Sequence, residues 1–292
     1  MTATAALTVA VLAAAALYAC WWGTNMVFHP HRMLPNAVFP EQFSLGYEKV
    51  SFKTEDGLTL RGWLIPAAKA TDKTIFFCHG WGDNKGDLLR RFHFLAADFN
   101  LFLFDSRHHG ESEGELSTIG SLEARDFAAA LAWLKAEHPA WTRRLSLLGL
   151  SMGAAMAVRG MAVHGGFQCA LLESPFRSFN RVVHQFGINA YRLPYFPLIW
   201  FMLIVLRWRL GHDPEPYSPV YYAADMPAVP LFFIAGEKDA LMPLSEVVAL
   251  HAMCKPPKEL WVVPNGEHGR CQEAAGPEYD RRVRDFFLAN SG

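Results

Sequence analysis

Short apolar runs alternate with amphipathic segments along most of the chain. Uninterrupted apolar runs are typical of strands in a sheet covered on both faces, and helices between them favour parallel pairing. The pattern predicts an open, mainly parallel α/β sheet of about eight strands, at Tyr47–Lys53, Leu58–Ile65, Thr74–Cys78, Leu101–Phe104, Leu145–Leu150, Cys169–Leu172, Leu231–Ala235 and Leu260–Val263. Helical spacing predicts helices at Leu88–Phe99, Ser121–Lys135, Met152–Val163, Leu244–Met253 and Arg281–Leu288.

One long segment between the sixth and seventh strands interrupts this alternation. It contains the apolar run Tyr195–Leu206, which is too short to span a bilayer. We predict a lid insertion over about residues 176–227, in which this run covers a pocket or lies at a membrane interface. The alternative is that the run packs on the sheet.

The N-terminal segment is apolar throughout. Only Thr8 interrupts the apolar residues from Ala5 to Trp22, and no charged side chain occurs before Arg32. Eighteen helical residues rise about 27 Å, close to the thickness of a hydrocarbon core. Tyr18, Trp21 and Trp22 lie where interfacial aromatic residues are expected. The pattern predicts a single-pass membrane anchor over residues 1–28, followed by a proline-spaced linker over residues 29–45.

Other interpretations of this segment stay open, and one of them is a helix buried within the fold. A cleavable signal peptide normally begins with Lys or Arg, which this chain lacks before its apolar stretch. The sequence Leu17–Cys20 resembles a lipoprotein signal, although Tyr18 does not suit one. Because the first positive side chain follows the helix, the charge distribution favours a cytoplasmic C-terminal domain.

Composition and charge narrow the possible functions. Of the 292 residues, 51% are hydrophobic and 19% charged, and the formal net charge is −1. This composition predicts a large core, and the absence of a basic excess argues against nucleic-acid binding. The five cysteines are odd in number and lack C-x-x-C spacing, which argues against a disulfide framework or zinc site. We predict no metal and no cofactor.

The clearest chemical motif is Gly149-Leu150-Ser151-Met152-Gly153, a match to G-x-S-x-G. It follows a predicted buried strand and begins a helix rich in small residues, which is the setting of a nucleophile elbow. Ser151 is therefore the candidate nucleophile, and Gly149 and Gly153 are the small residues that its turn requires. The alternative is a structural turn with an incidental serine.

A serine nucleophile needs a base that a third group orients. Asp239 follows the predicted strand Leu231–Ala235, and His268 follows Leu260–Val263. Because the carboxyl ends of parallel strands meet at one edge of a sheet, both side chains are expected near Ser151. We predict His268 as the base and Asp239 as the acid, with Glu237 as the alternative acid.

The oxyanion that forms during acyl transfer needs N–H donors already in place. The backbone N–H of Met152, directly after the nucleophile, is one candidate. The backbone N–H of Trp81, in the loop after His79-Gly80, is the other. His79 itself is expected to be a structural loop residue, since His268 fits the role of base.

Taken together, these motifs resemble the α/β-hydrolase superfamily, most closely its monoacylglycerol-lipase and serine-aminopeptidase-like branch and its single-pass membrane-anchored members. The resemblance covers about residues 45–290 and implies an α/β-hydrolase domain over residues 46–292. It also implies structural roles for Asp105 and Arg107. At His108 the sequence departs from the usual Arg-Gly-His-Gly. The matching segments are His79–Gly82, Phe104–Ser112, Gly149–Gly153, Gly236–Asp239 and Gly266–His268.

The predicted function is that of a serine hydrolase cleaving acyl esters or thioesters of lipid-like or small acylated substrates. A serine aminopeptidase of the same fold is the first alternative, with Glu173 or Glu237 holding the substrate's amino group. A non-catalytic binding scaffold is the second. Dehalogenase or epoxide-hydrolase chemistry is disfavoured because it needs an aspartate at position 151. We expect a chain starting near Glu41 to be soluble and to hydrolyse small water-soluble esters, but to lose activity on acyl substrates embedded in liposomes. The oligomeric state is left open.

Overall fold

An eight-stranded sheet forms the centre of the molecule, whose computed structural model describes residues 3–31 and 36–292. The strand order is β1-β2-β4-β3-β5-β6-β7-β8. Only β2 runs against the other strands, pairing antiparallel with β1 and β4. The mainly parallel sheet of the sequence analysis is therefore confirmed. The strands are β1 (Glu48–Lys53), β2 (Thr59–Ile65), β3 (Lys73–Cys78), β4 (Asn100–Phe104), β5 (Arg144–Leu150), β6 (Phe167–Glu173), β7 (Leu231–Gly236) and β8 (Lys258–Val263).

Helices cover both faces of the sheet. Side chains alternate along each strand, so that Phe76 of β3 packs on one face and Phe77 on the other. Helices α3, α4 and α7 cover the Phe76 face, and α2, α8 and α9 cover the Phe77 face. The helices are α1 (Ala3–Phe28), α2 (Lys85–Phe92), α3 (Glu123–Glu137), α4 (Met152–His164), α5 (Phe179–Tyr191), α6 (Trp200–Leu210), α7 (Leu244–Met253), α8 (Cys271–Ala275) and α9 (Pro277–Asn290).

Helix α2 differs from the helix predicted at Leu88–Phe99. It begins earlier because the Asn84 side chain accepts hydrogen bonds from the N–H groups of Gly86 and Asp87 and so caps the first turn. It ends at Phe92, and a 3₁₀ turn over His93–Ala97 completes the segment. Apolar spacing alone does not separate these two helical forms.

The insertion between β6 and β7 contains α5, α6 and three short 3₁₀ turns. The run Tyr195–Leu206 is not one helix, because the backbone at Phe196 is extended and α6 begins only at Trp200. Met202, Leu203 and Leu206 on the buried side of α6 pack against α1, not against the sheet. The alternative that this run packs on the sheet is therefore wrong.

Helix α1 has an exposed part and a buried part. It is long and apolar enough to cross a membrane, a property that signal sequences share. Its described side chains are mostly exposed as far as Ala19, whereas Cys20, Val27 and Phe28 are buried at 5%, 3% and 1% exposure. The last turns of the predicted anchor are therefore packed inside the fold.

The predicted linker lies partly on the domain surface. Residues 32–35 fall outside the described residues. A 3₁₀ turn over Pro40–Phe43 follows, with the Phe39 ring 5.7 Å from the Trp63 ring and the Phe43 ring stacked 4.1 Å from His93. This half of the linker is thus packed against β2 and the turn after α2.

The five cysteines are all buried free thiols. Cys78 and Cys169 lie within β3 and β6, where they pack among apolar side chains, and the Cys169 thiol also donates to the Ser146 hydroxyl at 3.3 Å. The fold therefore contains no disulfide.

Candidate active site

Ser151 lies in a tight turn between β5 and α4, with φ 51° and ψ −112°. Such a left-handed φ is costly for a non-glycine residue and is held only by the surrounding structure. A Cβ at Gly153 would lie 2.0 Å from the carbonyl oxygen of Cys78, and one at Gly149 would lie 2.7 Å from the backbone nitrogen of Ala154. Both glycines are therefore needed for the helix to approach the sheet behind Ser151.

The structure brings His268 and Asp239 to this turn. His268 Nε2 lies 3.0 Å from Ser151 Oγ, and His268 Nδ1 lies 2.8 Å from Asp239 Oδ2. The other carboxylate oxygen accepts the Met242 N–H at 2.7 Å, and only 1% of the Asp239 side chain is exposed. Since an ionised carboxylate only accepts, Nδ1 carries the proton and Nε2 is free to accept one from Ser151.

The alternative acid does not reach the imidazole. Glu237 Oε2 accepts the backbone N–H of Asn265 at 2.9 Å. Its carboxylate therefore holds the loop between β8 and α8 in place. Of the two acidic candidates after β7, the structure places only Asp239 against His268.

Met152 and Trp81 line the same cavity as Ser151 and His268. Met152 is the first residue of α4, a position whose N–H has no acceptor within the helix. Neither the Met152 nor the Trp81 backbone N–H donates a hydrogen bond to any atom of residues 3–31 and 36–292. Both N–H groups are therefore available to a bound oxygen.

Two buried histidines hold the loop that carries Trp81. His79 Nδ1 donates to the Gly80 carbonyl oxygen at 2.7 Å, and its Nε2 accepts the Ser106 N–H at 2.9 Å. His109 Nε2 accepts the Gly82 N–H at 3.1 Å. Burial lowers the pKa of His79 to about 4 and that of His109 to about 3. Both rings are therefore neutral at pH 7 and serve as hydrogen-bond supports.

The end of α1 is hydrogen-bonded to the Trp81 loop and to the segment between β4 and α3, which the sequence did not predict. The indole Nε1 of Trp81 donates to the carbonyl oxygen of Val27 at 3.0 Å, and the Ser117 N–H donates to that of Phe28 at 2.7 Å. A chain starting near Glu41 would lack both acceptors. We therefore revise the expectation for this truncation, which should reduce the hydrolysis of small soluble esters as well.

Two cavities meet at the candidate nucleophile, and Ser151, His268 and Trp81 line both. The first, which we call the apolar cavity, measures about 560 Å³; Val27, Ile119, Phe176 and Val182 contribute to its wall. The second, which we call the polar cavity, measures about 870 Å³; Asp83, Arg91, Glu173 and Ser174 contribute to its wall.

Most charges in the polar cavity are paired. Arg91 Nη2 donates to both carboxylate oxygens of Glu173 at 2.9 Å, and the Tyr279 hydroxyl donates to the same carboxylate. Asp83 is different, since no side-chain hydrogen bond or ion pair to it occurs within residues 3–31 and 36–292. Burial raises the pKa of its carboxyl, and nearby Asp87 adds to the effect. The hydroxyl of Ser174 likewise has no partner in the described chain.

The segment after β4 has a structural role, as the resemblance implies. Arg107 forms ion pairs with Asp126 and Asp56, and Asp105 pairs with buried Lys85. His108 adopts φ 60°, a backbone conformation that favours the glycine usual at this position. His108 therefore adopts the left-handed backbone conformation that glycine provides in the common motif.

Known proteins resemble this chain over most of its length. The profile of the family described as "Serine aminopeptidase, S33" matches residues 69–210. Protein Rv2307c of Mycobacterium tuberculosis is 31% identical over 224 residues, covering 75% of this chain and 71% of that protein. YfhR of Escherichia coli K12 is 29% identical over 253 residues, covering 83% and 81% of the two chains.

Solved structures also resemble this chain over most of its length. The Pyrococcus furiosus esterase Pf2001 superposes with a TM-score of 0.76 and 27% identity, covering 91% of this chain and 99% of the esterase. Together with the sheet order and the nucleophile elbow, these similarities show that the chain belongs to the α/β-hydrolase superfamily. They support hydrolase activity.

Proposed function

We propose that the chain is a serine hydrolase that cleaves acyl esters or thioesters, with Ser151 as nucleophile, His268 as base and Asp239 as orienting acid. The observation that carries the proposal is the chain of contacts from Asp239 to His268 at 2.8 Å and from His268 to Ser151 at 3.0 Å. Ser151 and His268 lie between an apolar and a polar cavity, and this position suits a substrate with one apolar and one polar half.

The reaction follows from this geometry. Ser151 Oγ attacks the substrate's carbonyl carbon while His268 Nε2 takes the hydroxyl proton, and the Asp239 carboxylate stabilises the imidazolium. The backbone N–H groups of Trp81 and Met152 hold the oxyanion. His268 then protonates the departing alcohol or thiol. Water, deprotonated by His268, attacks the acyl-enzyme, and a carboxylic acid leaves as the Ser151 hydroxyl is restored.

The two cavities suggest how the substrate lies. An acyl chain is more favourably placed in the apolar cavity, where its burial is driven by the hydrophobic effect. The alcohol or thiol half then lies in the polar cavity beside Asp83 and Ser174, which have hydrogen-bonding capacity to spare. The carbonyl carbon is thereby placed at Ser151, where the cavities meet.

The aminopeptidase alternative is less well supported by the contacts. It needs an ionised carboxylate free to bind an amino group, and Glu173 is already neutralised by Arg91. Glu237 is hydrogen-bonded to the loop after β8. Asp83 is unpaired among the described residues, but its burial raises the pKa of the carboxyl and so disfavours the ionised form that an amino group needs. The ester or thioester therefore remains the preferred substrate, and an aminoacyl amide belongs in every assay as the competing substrate.

Helix α1 supports a membrane location for this hydrolase. The stretch from Ala3 to Ala19, whose described side chains are mostly exposed, rises about 25 Å, nearly enough for a hydrocarbon core. Trp21 and Trp22, next along the helix, are exposed at the level where interfacial aromatic residues occur. We propose that α1 anchors the domain directly against the bilayer surface.

The test is labelling of the full-length protein in detergent by a fluorophosphonate probe, with hydrolysis of esters measured in parallel. The wild type should be labelled and should hydrolyse acyl esters faster than an aminoacyl amide. Ser151→Ala should lose both labelling and hydrolysis. Persistent labelling of Ser151→Ala, or preference for the amide, would contradict the proposal.

A further inference from the structure

A third cavity lies between α1 and the insertion, and we call it the α1 cavity. It measures about 730 Å³ and its wall is almost wholly apolar. Cys20, Gly23 and Val27 of α1, Phe186 and Gly187 of α5, and Met202 of α6 contribute to its wall.

The α1 cavity adjoins the apolar cavity beside Ser151. Val27 and Phe186 line both cavities, so these two side chains stand between them. Phe186 is half-buried, and its ring contacts the Trp81 and Tyr191 rings at centroid distances of 6.1 and 6.2 Å. Because the two cavities adjoin at these side chains, a flexible chain that fills the apolar cavity can continue past Phe186 into the α1 cavity.

The other end of the α1 cavity opens at the protein surface. Its lining includes Ala19, Trp22 and Tyr191, which are all exposed. Trp22 and Tyr191 contact each other with ring centroids 6.1 Å apart, and the neighbouring Trp21 and Trp208 rings lie 6.3 Å apart. Exposed aromatic side chains at the end of an apolar helix mark the level of a membrane interface.

We propose that the α1 cavity is the distal acyl subsite, which receives the tail of a long-chain lipid ester from the bilayer while the ester carbonyl lies at Ser151. The inference rests on the proposed function and names its substrate class. The N-terminal helix is then a wall of the substrate site in addition to an anchor. Short acyl chains end before Val27 and do not use this subsite.

Obstruction of the subsite tests the proposal. Ala19 is exposed, lines the cavity and is not in the catalytic machinery, so Ala19→Trp narrows the opening without crowding the core. Ala14→Trp is the matched control, since Ala14 is exposed on the same helix and lines none of the three cavities. Cys20→Phe, which fills the cavity from its buried wall, provides a second obstruction.

The assay compares p-nitrophenyl palmitate with p-nitrophenyl butyrate, using the full-length protein in detergent micelles. Ala19→Trp and Cys20→Phe should lower kcat/KM for the palmitate by about tenfold or more and leave the butyrate value within about twofold. Ala14→Trp should change neither value. Equal fluorophosphonate labelling rates show that all three variants retain the fold.

Other results would overturn the inference. Equal losses on both esters, or no loss on either ester in both obstructed variants, would mean that the α1 cavity holds no acyl chain. Ser151-dependent hydrolysis of the butyrate alone would reject the distal subsite and leave the proposed function standing. Hydrolysis of neither ester by the wild type would reject the proposed function itself.

Discussion

The apolar and polar cavities meet at Ser151 but are built from different parts of the chain. The apolar wall comes largely from the insertion and the end of α1, through residues such as Val182 and Val27. The polar wall comes from α2 and the ends of strands, through residues such as Arg91 and Glu173. In the proposed orientation of the substrate, its two halves are therefore recognised by separate elements.

Because of this difference, the proposed reaction and the selection of the acyl chain depend on separate parts of the molecule. The groups proposed to react lie at the carboxyl ends of strands, where the sheet fixes their positions. The apolar side depends on helices outside the sheet, which can vary without moving Ser151. Changes on the two sides should therefore affect different substrates, whereas changes at their junction should affect all of them.

The largest effect is expected at the junction. Asp239→Asn removes the carboxylate that orients His268, so kcat should fall by about 10⁴-fold for every substrate. Glu237→Gln is the matched control, because its carboxylate is two residues away and contacts only the loop. Initial rates with long-chain and short-chain esters measure both variants. Near-normal rates in Asp239→Asn together with a large loss in Glu237→Gln would mean that the acid is misassigned.

Acid should weaken the loop shared by both cavities. His79 has a folded pKa of about 4, below the ordinary value of 6.5, because it is buried. The unfolded state therefore takes up a proton first as the pH falls, and the stabilisation present above pH 6.5 is lost toward pH 4. The loss should reach about 3 kcal/mol.

Chemical unfolding of the full-length protein between pH 7.5 and pH 4 measures this loss. His79→Gln should show a smaller dependence of the unfolding free energy on pH than the wild type. The same dependence in both proteins would show that the His79 ring is not the group responsible. Activity on both ester types should decline together, because Trp81 lines both cavities.

A substitution in the polar cavity should have a smaller effect, limited to substrates with a hydroxylated leaving group. Asp83 is free to accept hydrogen bonds from a hydroxylated leaving group, so Asp83→Asn should raise KM for a glycerol ester by about tenfold. An ethyl ester of the same acid should be unaffected. Glu273→Gln is the control, since Glu273 lines the same cavity but is 76% exposed. A rise in KM for the ethyl ester as well would place Asp83 outside leaving-group recognition.

The sequence predicted the parts that carry local signatures. The elbow around Ser151 and the positions of Asp239 and His268 after strands were readable from motif and strand pattern. The inner end of α1 was not, because an apolar helix has the same pattern whether lipid or protein covers it. The start of α6 at Trp200 was also missed, since the apolar run continues through the extended residue Phe196.

The free carboxylate of Asp83 could not have been foreseen for a related reason. Whether an acidic side chain is paired depends on residues distant in sequence, as the pairing of Arg91 with Glu173 illustrates. The two features that the sequence did not predict, the buried end of α1 and the unpaired Asp83, therefore both belong to the walls of the cavities. The positions of the groups proposed to react follow from local sequence.

In the proposed complex, the acyl chain runs from Ser151 toward α1 and away from the polar cavity. A long-chain alkyl fluorophosphonate with a diazirine at the far end of the chain tests it directly. After the probe has labelled Ser151 in the full-length protein, irradiation and mass spectrometry locate the second attachment. Attachment is expected at residues 19–27, 186–193 or 198–202, which include the wall of the α1 cavity. Attachment at residues 83–91 or 269–273, which line the polar cavity, would contradict it.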